Sequence, residues 1–303
     1  MLLLRDLQTP PSQVRRGAVA IGNFDGVHRG HARIVERLKA QAQAVGGPAV
    51  VFTFDPHPVR LLRPAEAPPP LTWTDRKAEL LGELGIDAMI AYPTDESLLN
   101  LTAREFFDQI IRDSLDARAL VEGPNFYFGR GRQGTIDVLR GFTAEAGMTL
   151  EVADPVTVDG QPVSSSRVRQ LLLAGQVEPA ARLLTRPYRI RGMVTHGAGR
   201  GARIGFPTAN VDAIDTLLPA VGVYAGVAHR AGRQHAAAIN IGPNPTFGEH
   251  AFKVEVHLID FHGSLYGQPL EVDFTRRLRD TRPFSGVAEL QAQLARDVEA
   301  ARL

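Results

Sequence analysis

The stretch Ala18-Val-Ala-Ile-Gly-Asn-Phe-Asp-Gly-Val-His-Arg-Gly-His31 decides how the first half of the chain folds. Its first four residues are an apolar run of the length expected for a buried strand, and the glycines that follow allow the backbone to turn sharply. A helix is predicted next, because apolar residues recur on one helical face between Ile34 and Ala42. His28 and His31 are therefore expected at the N-terminus of that helix.

A helix N-terminus favours an anion, because its first backbone N–H groups lack partners and the helix dipole is positive there. Two imidazoles add further donors, and the combination indicates a nucleotide phosphate as the ligand. In phosphoryl and nucleotidyl transfer the protein mainly positions the reactants and stabilises charge around phosphorus. His28 and His31 are suited to that catalytic role, although a pair of histidines could also serve only to cap the helix.

Composition narrows the class of protein. At 303 residues the chain is long enough for two ordinary domains, and its 44% hydrophobic and 22% charged residues are typical of a soluble globular protein. The formal net charge of +1 gives no global attraction to nucleic acid or to an anionic membrane, so neither is expected as a partner. The absence of cysteine excludes disulfides, zinc–thiolate sites and thiol nucleophiles. Met1–Leu4 is too short for a signal peptide and no stretch is long enough to span a membrane, so a cytoplasmic location is expected.

The first half alternates between strand and helix patterns. Further strands are predicted at Ala49–Phe54, Ala88–Ala91, Ala119–Val121 and Thr149–Val152, with helices at Asp75–Leu84, after Thr102, at Thr135–Ala146 and from about Ser166. Thr102 and Glu105 form a capping box for the helix that carries two apolar pairs, Phe106 with Phe107 and Ile110 with Ile111. This alternation predicts a parallel sheet covered by helices, which binds ligands at the carboxyl ends of its strands.

The second half has the spacing of an all-β domain. Short strands are predicted at Tyr188–Val194, Val223–Ala228, Ala236–Ile241, Phe252–Ile259 and Pro269–Phe274, and a final helix at Ser285–Leu303. Gly- and Pro-rich turns separate these strands, which predicts a small antiparallel barrel with a helix packed against it. The fold class is therefore α/β, with a boundary that divides the chain into residues 1–186 and 187–303.

The pattern Gly-x-Phe-Asp-Gly-x-His-x-Gly-His resembles that of the H-x-G-H nucleotidyltransferases, which have a Rossmann-like domain. In that superfamily the paired histidines contact the nucleotide phosphates while a second phosphate attacks the α-phosphorus and pyrophosphate leaves. Three further segments, Thr53–Pro58, Asn125–Gly129 and Ser164–Arg169, resemble in order and spacing the flavin adenylyltransferase half of prokaryotic FAD synthetases.

This resemblance implies roles for individual residues. The expected ATP- and phosphate-binding residues of the first half are Gly22, Asn23, Phe24, Asp25, His57, Ser164, Ser165, Ser166, Arg167 and Arg169. Guanidinium groups suit the phosphates because of their fork geometry. The expected flavin-binding residues are Asn125, Phe126 and Phe128, since an amide and aromatic rings can bond to and stack on an isoalloxazine.

Each of these residues also has a simpler interpretation. His57 lies between prolines and could be only a rigid loop residue. Asn125 with its aromatic neighbours could be a turn followed by core, and the serine run could simply cap the helix that follows.

The second half carries a glycine-rich loop, Gly197-Ala-Gly-Arg-Gly201, followed by Ile204-Gly-Phe-Pro-Thr-Ala-Asn210. Exposed backbone N–H groups, a hydroxyl and an amide close together suit nucleotide phosphates and Mg²⁺, although such a loop could also be an ordinary hairpin. The segment resembles the riboflavin kinase family. Further segments follow in that family's order, at Gly222–Tyr224, Asn240–Gly242, Pro245–Gly248, Val254–His257 and Leu265–Gly267.

By this second resemblance the phosphate-binding residues are Gly197, Gly199, Arg200 and Gly201, and the ligands of Mg²⁺ are Thr208 and Asn210. Glu255 would take the proton from the riboflavin 5′-hydroxyl as a general base. It alternates with Val254 and Val256 in a strand, so it should point away from the apolar face, where it could also be merely a solvated carboxylate.

Two further features of the second half qualify the resemblance. Ala202 stands where many relatives carry a polar or basic residue, so one phosphate contact could be missing. The family places a flavin-covering segment near Leu278–Phe284, whereas the charges there and nearby, at Asp260, Arg276, Arg277, Arg279 and Arg282, are most simply solvated.

Together the two motif sets identify the chain as resembling the prokaryotic bifunctional riboflavin kinase/FMN adenylyltransferase family. The resemblance implies phosphorylation of riboflavin by ATP to FMN, then adenylylation of FMN by ATP to FAD, with Mg²⁺ required in both steps. We expect riboflavin, FMN and ATP as partners and a monomer or weak homo-oligomer. The alternatives are a monofunctional relative and a flavin- or nucleotide-sensing binding protein.

Overall fold

The computed structural model describes residues 1–197, 199–244 and 249–302. By their internal contacts the residues form two compact units, Met1–Pro68 with Trp73–Ser164 and Pro69–Thr72 with Ser165–Leu303. The predicted boundary at residue 186 marks where the strand-only spacing begins, and it stays a prediction.

The first unit is built on a six-stranded sheet. Its strands are β1 Leu2–Leu4, β2 Ala18–Ile21, β3 Ala49–Asp55, β4 Ala88–Pro93, β5 Ala119–Glu122 and β6 Thr149–Val152. The order is β1-β4-β3-β2-β5-β6 and every pair is parallel, as the alternating pattern predicts. The direction of winding reverses between β2 and β5, and a crevice at such a reversal is where parallel sheets bind ligands.

Helices cover both faces of this sheet. They are α1 Arg29–Val45, α2 Val59–Leu62, α3 Thr74–Glu83, α4 Glu96–Asn100, α5 Ala103–Phe106 and α6 Ile136–Glu145. A short hairpin follows, formed by β7 Thr157–Val158 and β8 Gln161–Pro162. One core cluster includes Val35 and Leu38 of α1, and the other includes Phe52 and Phe107. Burial on both faces explains why the central strands are continuous apolar runs.

The helix after Thr102 differs from its prediction in winding. The capping box of Thr102 and Glu105 is confirmed, but α5 ends at Phe106 and the chain continues as a π-helical segment, Phe107–Ser114. The two apolar pairs are four residues apart, a spacing that keeps them on one face in either kind of helix. The hydrophobic pattern therefore located the buried face but could not distinguish the two windings.

The second unit contains a closed barrel of antiparallel strands. Its elements are α7 Ser165–Leu173, α8 Val177–Leu183, β9 Tyr188–Thr195, α9 Arg200–Arg203, β10 Ala209–Asp212, β11 Gly222–Arg230, β12 Arg233–Asn244, β13 Glu249–Leu258, β14 Pro269–Arg279 and α10 Val287–Arg302. The strand order is β10-β13-β12-β11-β14-β9. Helix α10 packs on β11 and β12, with Ala225, Ile259 and Ala301 in the contact. The predicted barrel with a packed C-terminal helix is confirmed.

Four short strands were not predicted from the sequence, namely β1, β10 and the two strands of the β7–β8 hairpin. β10 closes the barrel by pairing with both β9 and β13, yet it is four residues long and includes Asn210 and Asp212. β1 pairs with β4 at the edge of the parallel sheet and is only three residues long. Length alone does not explain this, because β2 is also four residues long and was predicted from its continuous apolar run, whereas β10 is half polar.

Candidate active sites

The paired histidines lie at the start of α1, as predicted. His28 is the N-cap residue, and its Nδ1 accepts a hydrogen bond from the backbone N–H of His31 at 3.3 Å. The two imidazoles stack with their centroids 3.6 Å apart and their planes 11° from parallel. Because Nδ1 of His28 is an acceptor, the proton of its neutral ring is on Nε2, which remains available as a donor.

Burial keeps both rings in their neutral form. It lowers the pKa of His28 to about 4, an effect that its own backbone and Asp25 only partly oppose. Burial also lowers the pKa of His31 well below its ordinary value, and the charges of His28 and Lys77 act in the same direction. At neutral pH the site therefore offers N–H donors rather than two cations.

The loop before α1 is shaped around the histidines. A Cβ at Gly30 would lie 3.1 Å from the ring of His28, so a glycine there lets the imidazole lie against the backbone. Phe24 and Val27 adopt positive φ angles of 46° and 40°, and the ring of Phe24 lies 4.9 Å from that of His31. The segment is thus a tight turn between β2 and α1 in which the side chains brace one another.

Two buried polar atoms of this loop have no hydrogen-bond partner within the described part of the chain. They are Oδ1 of Asn23 and Nδ1 of His31. Buried polar atoms are nearly always paired in folded proteins, so orphaned atoms need an explanation. A bound polar ligand would provide the missing partners, which supports this loop as a binding site.

A buried lysine next to this loop escaped the sequence analysis. Lys77 of α3 is only 8% exposed, and its Nζ donates to Oγ1 of Thr53 at 3.3 Å. The Thr53 hydroxyl in turn donates to the carbonyl oxygen of Asn23 at 3.2 Å. The one hint in the sequence was the rarity of lysine, since the chain contains only Lys39, Lys77 and Lys253.

A buried carboxyl lies at the crevice between β2 and β5. Glu122 is 2% exposed, and its Oε1 accepts from the backbone N–H of Ile21 at 2.8 Å. The backbone pairing of β2 with β5 involves only Ala18 and Val19 of β2. Beyond it, the side chain of Glu122 replaces the β5 backbone as the acceptor for the N–H of Ile21. Burial raises its pKa well above the ordinary value, which the hydrogen bond from Ile21 only partly opposes.

The aromatic segment after β5 is partly core. Phe128 is buried and stacks on the partly buried Phe126 with centroids 5.4 Å apart. Asn125 is exposed, and so is Tyr127, whose ring lies 4.3 Å from the guanidinium carbon of Arg132. Flavin binding by Asn125, Phe126 and Phe128 stays a prediction, and Tyr127 is an exposed ring that the sequence analysis did not single out.

The remaining predicted residues of the first half lie in two places. The Nδ1 atom of His57 accepts from the backbone N–H of Val59 at 3.1 Å, just beyond β3. Helix α7 begins at Ser165, so Ser166, Arg167 and Arg169 belong to its first turns. Arg169 donates from Nε to the carbonyl oxygen of Pro69 at 3.2 Å within the second unit.

The second candidate site is a cleft on the barrel. Glu255 of β13 pairs in register with Asn210 on one side and with Asn240 on the other. Directly opposed residues of neighbouring strands present their side chains to the same face. All three line the cleft together with Thr208, while Val254 and Val256 are buried. The predicted orientation of Glu255 is confirmed.

The glycine-rich loop packs closely against the predicted metal ligands. A Cβ at Gly197 would lie 2.1 Å from Nδ2 of Asn210, and one at Gly201 would lie 2.4 Å from the carbonyl oxygen of Phe206. Gly201 therefore requires glycine, because it faces backbone, whereas a side chain at position 197 would displace the amide of Asn210. Gly199, Arg200 and Ala202 line the same cleft, whereas Ala198 and the predicted segment Pro245–Gly248 lie outside the described residues.

The expectation that Arg279 is a solvated charge is wrong. Its guanidinium forms a double ion pair with Asp297 of α10, at 2.9 Å from Nε to Oδ1 and 2.6 Å from Nη2 to Oδ2. The Asp297 side chain is 5% exposed and also accepts from Gln293 at 2.8 Å. Asp297 lies seven residues after Leu290 and so falls on the apolar face of the helix. An acidic residue on that face could have indicated from the sequence that it has a buried partner.

The cleft is lined by three groups of residues. They are the loop residues Gly197 and Gly199–Gly201, the strand residues with Glu255, and the residues Arg279, Thr281, Arg282 and Phe284 with the adjoining face of α10. No cluster of three or more His, Asp or Glu side chains suited to a metal occurs among the described residues.

Comparison with known proteins identifies both halves. A family model for FAD synthetase matches residues 11–167, and one for riboflavin kinase matches residues 184–303. The chain belongs to the bifunctional riboflavin kinase/FMN adenylyltransferase family. The bifunctional riboflavin kinase/FMN adenylyltransferase of Pseudomonas fluorescens is 39% identical over 303 residues, which are 100% of this chain and 97% of the relative. That of Escherichia coli K12 is 34% identical over 304 residues, again with 100% and 97% covered.

A solved structure has the same fold. A crystal structure from Streptococcus pneumoniae, described there as a macrolide-efflux protein, matches with a TM-score of 0.88 and 29% identity. The match covers 99% of this chain and 98% of that chain. In the described part of this riboflavin kinase/FMN adenylyltransferase family member, no helix has the length and apolar character needed to cross a lipid bilayer.

Proposed function

We propose that this enzyme carries out its two reactions at the two sites described above. The family activities are phosphorylation of riboflavin by ATP to FMN, and adenylylation of FMN by ATP to FAD with release of pyrophosphate. Adenylyl transfer is assigned to the loop with His28 and His31, and phosphorylation to the barrel cleft with Glu255. The observation that carries the assignment is that the first family match contains His28 and His31, whereas the second contains Glu255.

In adenylyl transfer, a phosphate oxygen of FMN attacks the α-phosphorus of ATP, and the bond to pyrophosphate breaks. His28 and His31 would donate hydrogen bonds to the nucleotide phosphates as charge moves onto the leaving group. Their stacking and the N-cap bond of His28 fix both rings before the nucleotide binds, so no reorganisation is needed during the reaction.

In the kinase reaction, the 5′-oxygen of riboflavin attacks the γ-phosphorus of ATP and ADP leaves. Glu255 would accept the hydroxyl proton as the oxygen attacks, acting as the general base. Its position between Asn210 and Asn240 supports this role, because two amides flank the carboxylate on the same face. The loop with Gly197 and Gly201 would hold the phosphates.

We propose Mg²⁺ as the metal of both reactions. When bound, it offsets the charge of the ATP phosphates. The hydroxyl of Thr208 and the amide oxygen of Asn210 are ligands of the hard oxygen type that Mg²⁺ prefers, and both line the cleft. The cytoplasmic location, the monomeric or weakly oligomeric state and the lack of a nucleic-acid partner remain predictions from the sequence.

The test follows the products of riboflavin with Mg-ATP and pyrophosphatase over time in the full-length protein. We expect FMN to appear first and FAD afterwards. Replacing both His28 and His31 by alanine should abolish FAD while FMN still forms, and Glu255→Ala should make FAD only when FMN is supplied. Undiminished FAD synthesis by the histidine variant would refute the assignment of the first site.

A further inference from the structure

Lys77 connects three elements of the first unit behind the histidine loop. It extends from α3, its Nζ bonds to the fully buried hydroxyl of Thr53 on β3, and Thr53 bonds to the carbonyl of Asn23 in the loop after β2. Asn23 lies two residues after the end of β2 and five before His28. The backbone of the loop is thus fixed by a chain of hydrogen bonds that starts at a buried ammonium group.

The charge of Lys77 faces the candidate site. The acidic groups that act on it are Asp25 of the loop and Asp55 at the end of β3. Burial is nevertheless the dominant effect and lowers the pKa of Lys77. His31 is close enough that the lysine charge helps to lower the pKa of its imidazole, after burial and together with His28.

A buried lysine is an expensive way to support a loop. Removing an ammonium group from water is unfavourable, and nearby carboxylates offset only part of that cost. An apolar side chain of similar length would fill the same space without that cost. A buried cation next to a candidate phosphate site therefore points to an electrostatic role.

We propose that Lys77 is a positioning residue for adenylyl transfer: through Thr53 it fixes the Asn23 carbonyl and the loop that carries His28, and it places a positive charge behind the nucleotide phosphates. This inference rests on the proposed function of the histidine site. Lys77 is assigned to positioning rather than to contact with the reacting atoms, because the hydrogen bond of its Nζ is to the buried Thr53 hydroxyl, which in turn holds the loop backbone.

The first test compares Lys77→Met with Lys39→Met. Lys39 belongs to α1 in the same unit but is exposed, with its Nζ on the carbonyl of Leu84. We expect Lys77→Met to lower kcat/KM for FAD formation from FMN roughly 10–100-fold, as loss of outer-shell groups commonly does. Lys39→Met should leave it unchanged. Riboflavin kinase activity, measured on the same preparations, should be the same in both variants.

The second test separates positioning from packing. Thr53→Val removes the hydroxyl link but keeps the lysine, whereas Thr53→Ser keeps the hydroxyl. We expect Thr53→Val to lower kcat for FAD formation severalfold and Thr53→Ser to retain it. If Lys77→Met failed to fold, the two Thr53 variants would test the positioning role by themselves. Wild-type kcat in Thr53→Val would overturn the proposal.

The pH profile of FAD formation gives a third readout. Without the Lys77 charge, His31 loses one of the groups that disfavour its protonation, while the charges of Asp25, Asp55 and His28 remain. The acid limb of kcat/KM should therefore move to higher pH in Lys77→Met, and Lys77→Arg should move it back. An unchanged acid limb in Lys77→Met would overturn the electrostatic part of the proposal.

These outcomes are distinguishable from failure of the proposed function. If the alanine variants of His28 and His31 still made FAD, the site assignment itself would be wrong. If those variants lost FAD while Lys77→Met retained wild-type kcat/KM and pH profile, only the role of Lys77 would be refuted.

Discussion

The two candidate sites, both proposed to bind ATP phosphates, are built on different architectures. The histidine site lies at the end of a parallel sheet, where one turn and one helix N-terminus supply most of the groups. The barrel site is a row of side chains across three antiparallel strands, joined by a glycine-rich loop. The histidine loop itself is a local arrangement of sequence neighbours, whereas the row of side chains on the barrel depends on strand register between distant segments.

The difference extends to electrostatics. At the histidine site burial dominates, since it lowers the pKa of both imidazoles and of Lys77 and raises that of Glu122. At the barrel site the polar groups are partly exposed, and the charge buried nearby is Asp297, held in an ion pair with Arg279. Desolvation sets the protonation of the groups at the first site, whereas an ion pair and close backbone packing hold the groups of the second site in place.

The largest expected effect comes from conservative changes that remove one chemical group from each site. His28→Asn keeps a side chain that can cap α1 but removes the imidazole, and Glu255→Gln keeps the shape of the base but removes its charge. We expect each to reduce its own reaction by about 10²–10⁴-fold, because loss of positioned donors or bases has effects of this size. Measuring FMN and FAD formation on both proteins checks this, and each reaction serves as the control for the other.

The second effect concerns the buried ion pair of the barrel. Asp297→Ala would leave Arg279 without its partner, which should destabilise the region by about 3–5 kcal/mol. Asp297→Leu combined with Arg279→Met should recover most of that loss by replacing the pair with apolar packing. Amide hydrogen exchange of β14 and α10 measures both changes. A double variant as unstable as the single one would contradict the ion-pair explanation.

A third change tests the packing of the glycine loop. Gly197→Ala would force a methyl group against the amide of Asn210, so that this candidate metal ligand is displaced and kinase activity should fall about 10²-fold. Gly286→Ala is the matched control, since nothing lies within 4 Å of its Cβ position in the same unit. FAD formation from supplied FMN should be unchanged in both variants. Equal kinase activity in the two variants would show that the loop does not need this close approach.

The comparison also explains what the sequence could predict. The strand, turn and helix around His28 were predictable because their signals are local, and so was the capping box of Thr102 and Glu105. The contact between Glu122 and Ile21 was not, because 101 residues separate them. For the same reason the ion pair between Arg279 and Asp297, and the link from Lys77 to Thr53, required the fold.

The predicted roles of the site residues depended on resemblance more than on local structure. The orientation of Glu255 was correctly predicted from alternation alone, but its row with Asn210 and Asn240 depends on β10, a half-polar strand that was not predicted. Phe128 shows the opposite case, since an aromatic residue in a family motif is also part of the core. A sequence pattern therefore locates polar residues at a site more securely than aromatic ones.

The smallest expected effect tests whether burial keeps Glu122 neutral in the crevice between β2 and β5. Glu122→Gln keeps the acceptor for the Ile21 N–H but cannot ionise. Because the pKa of Glu122 is raised in the folded state, its contribution to stability is complete below the ordinary pKa of a carboxyl group, near 4.5, and is lost as pH rises.

Glu122→Gln should therefore match the wild-type free energy of unfolding near pH 4 and exceed it at neutral pH, by on the order of 1 kcal/mol. Urea unfolding across this pH range measures the difference, with the exposed Glu96→Gln as control. A gain that does not grow with pH would mean that the carboxyl is not held neutral. A buried carboxylate at the crevice would then be charged at neutral pH. Burial would no longer distinguish the first site from the second, in which Asp297 is paired with Arg279.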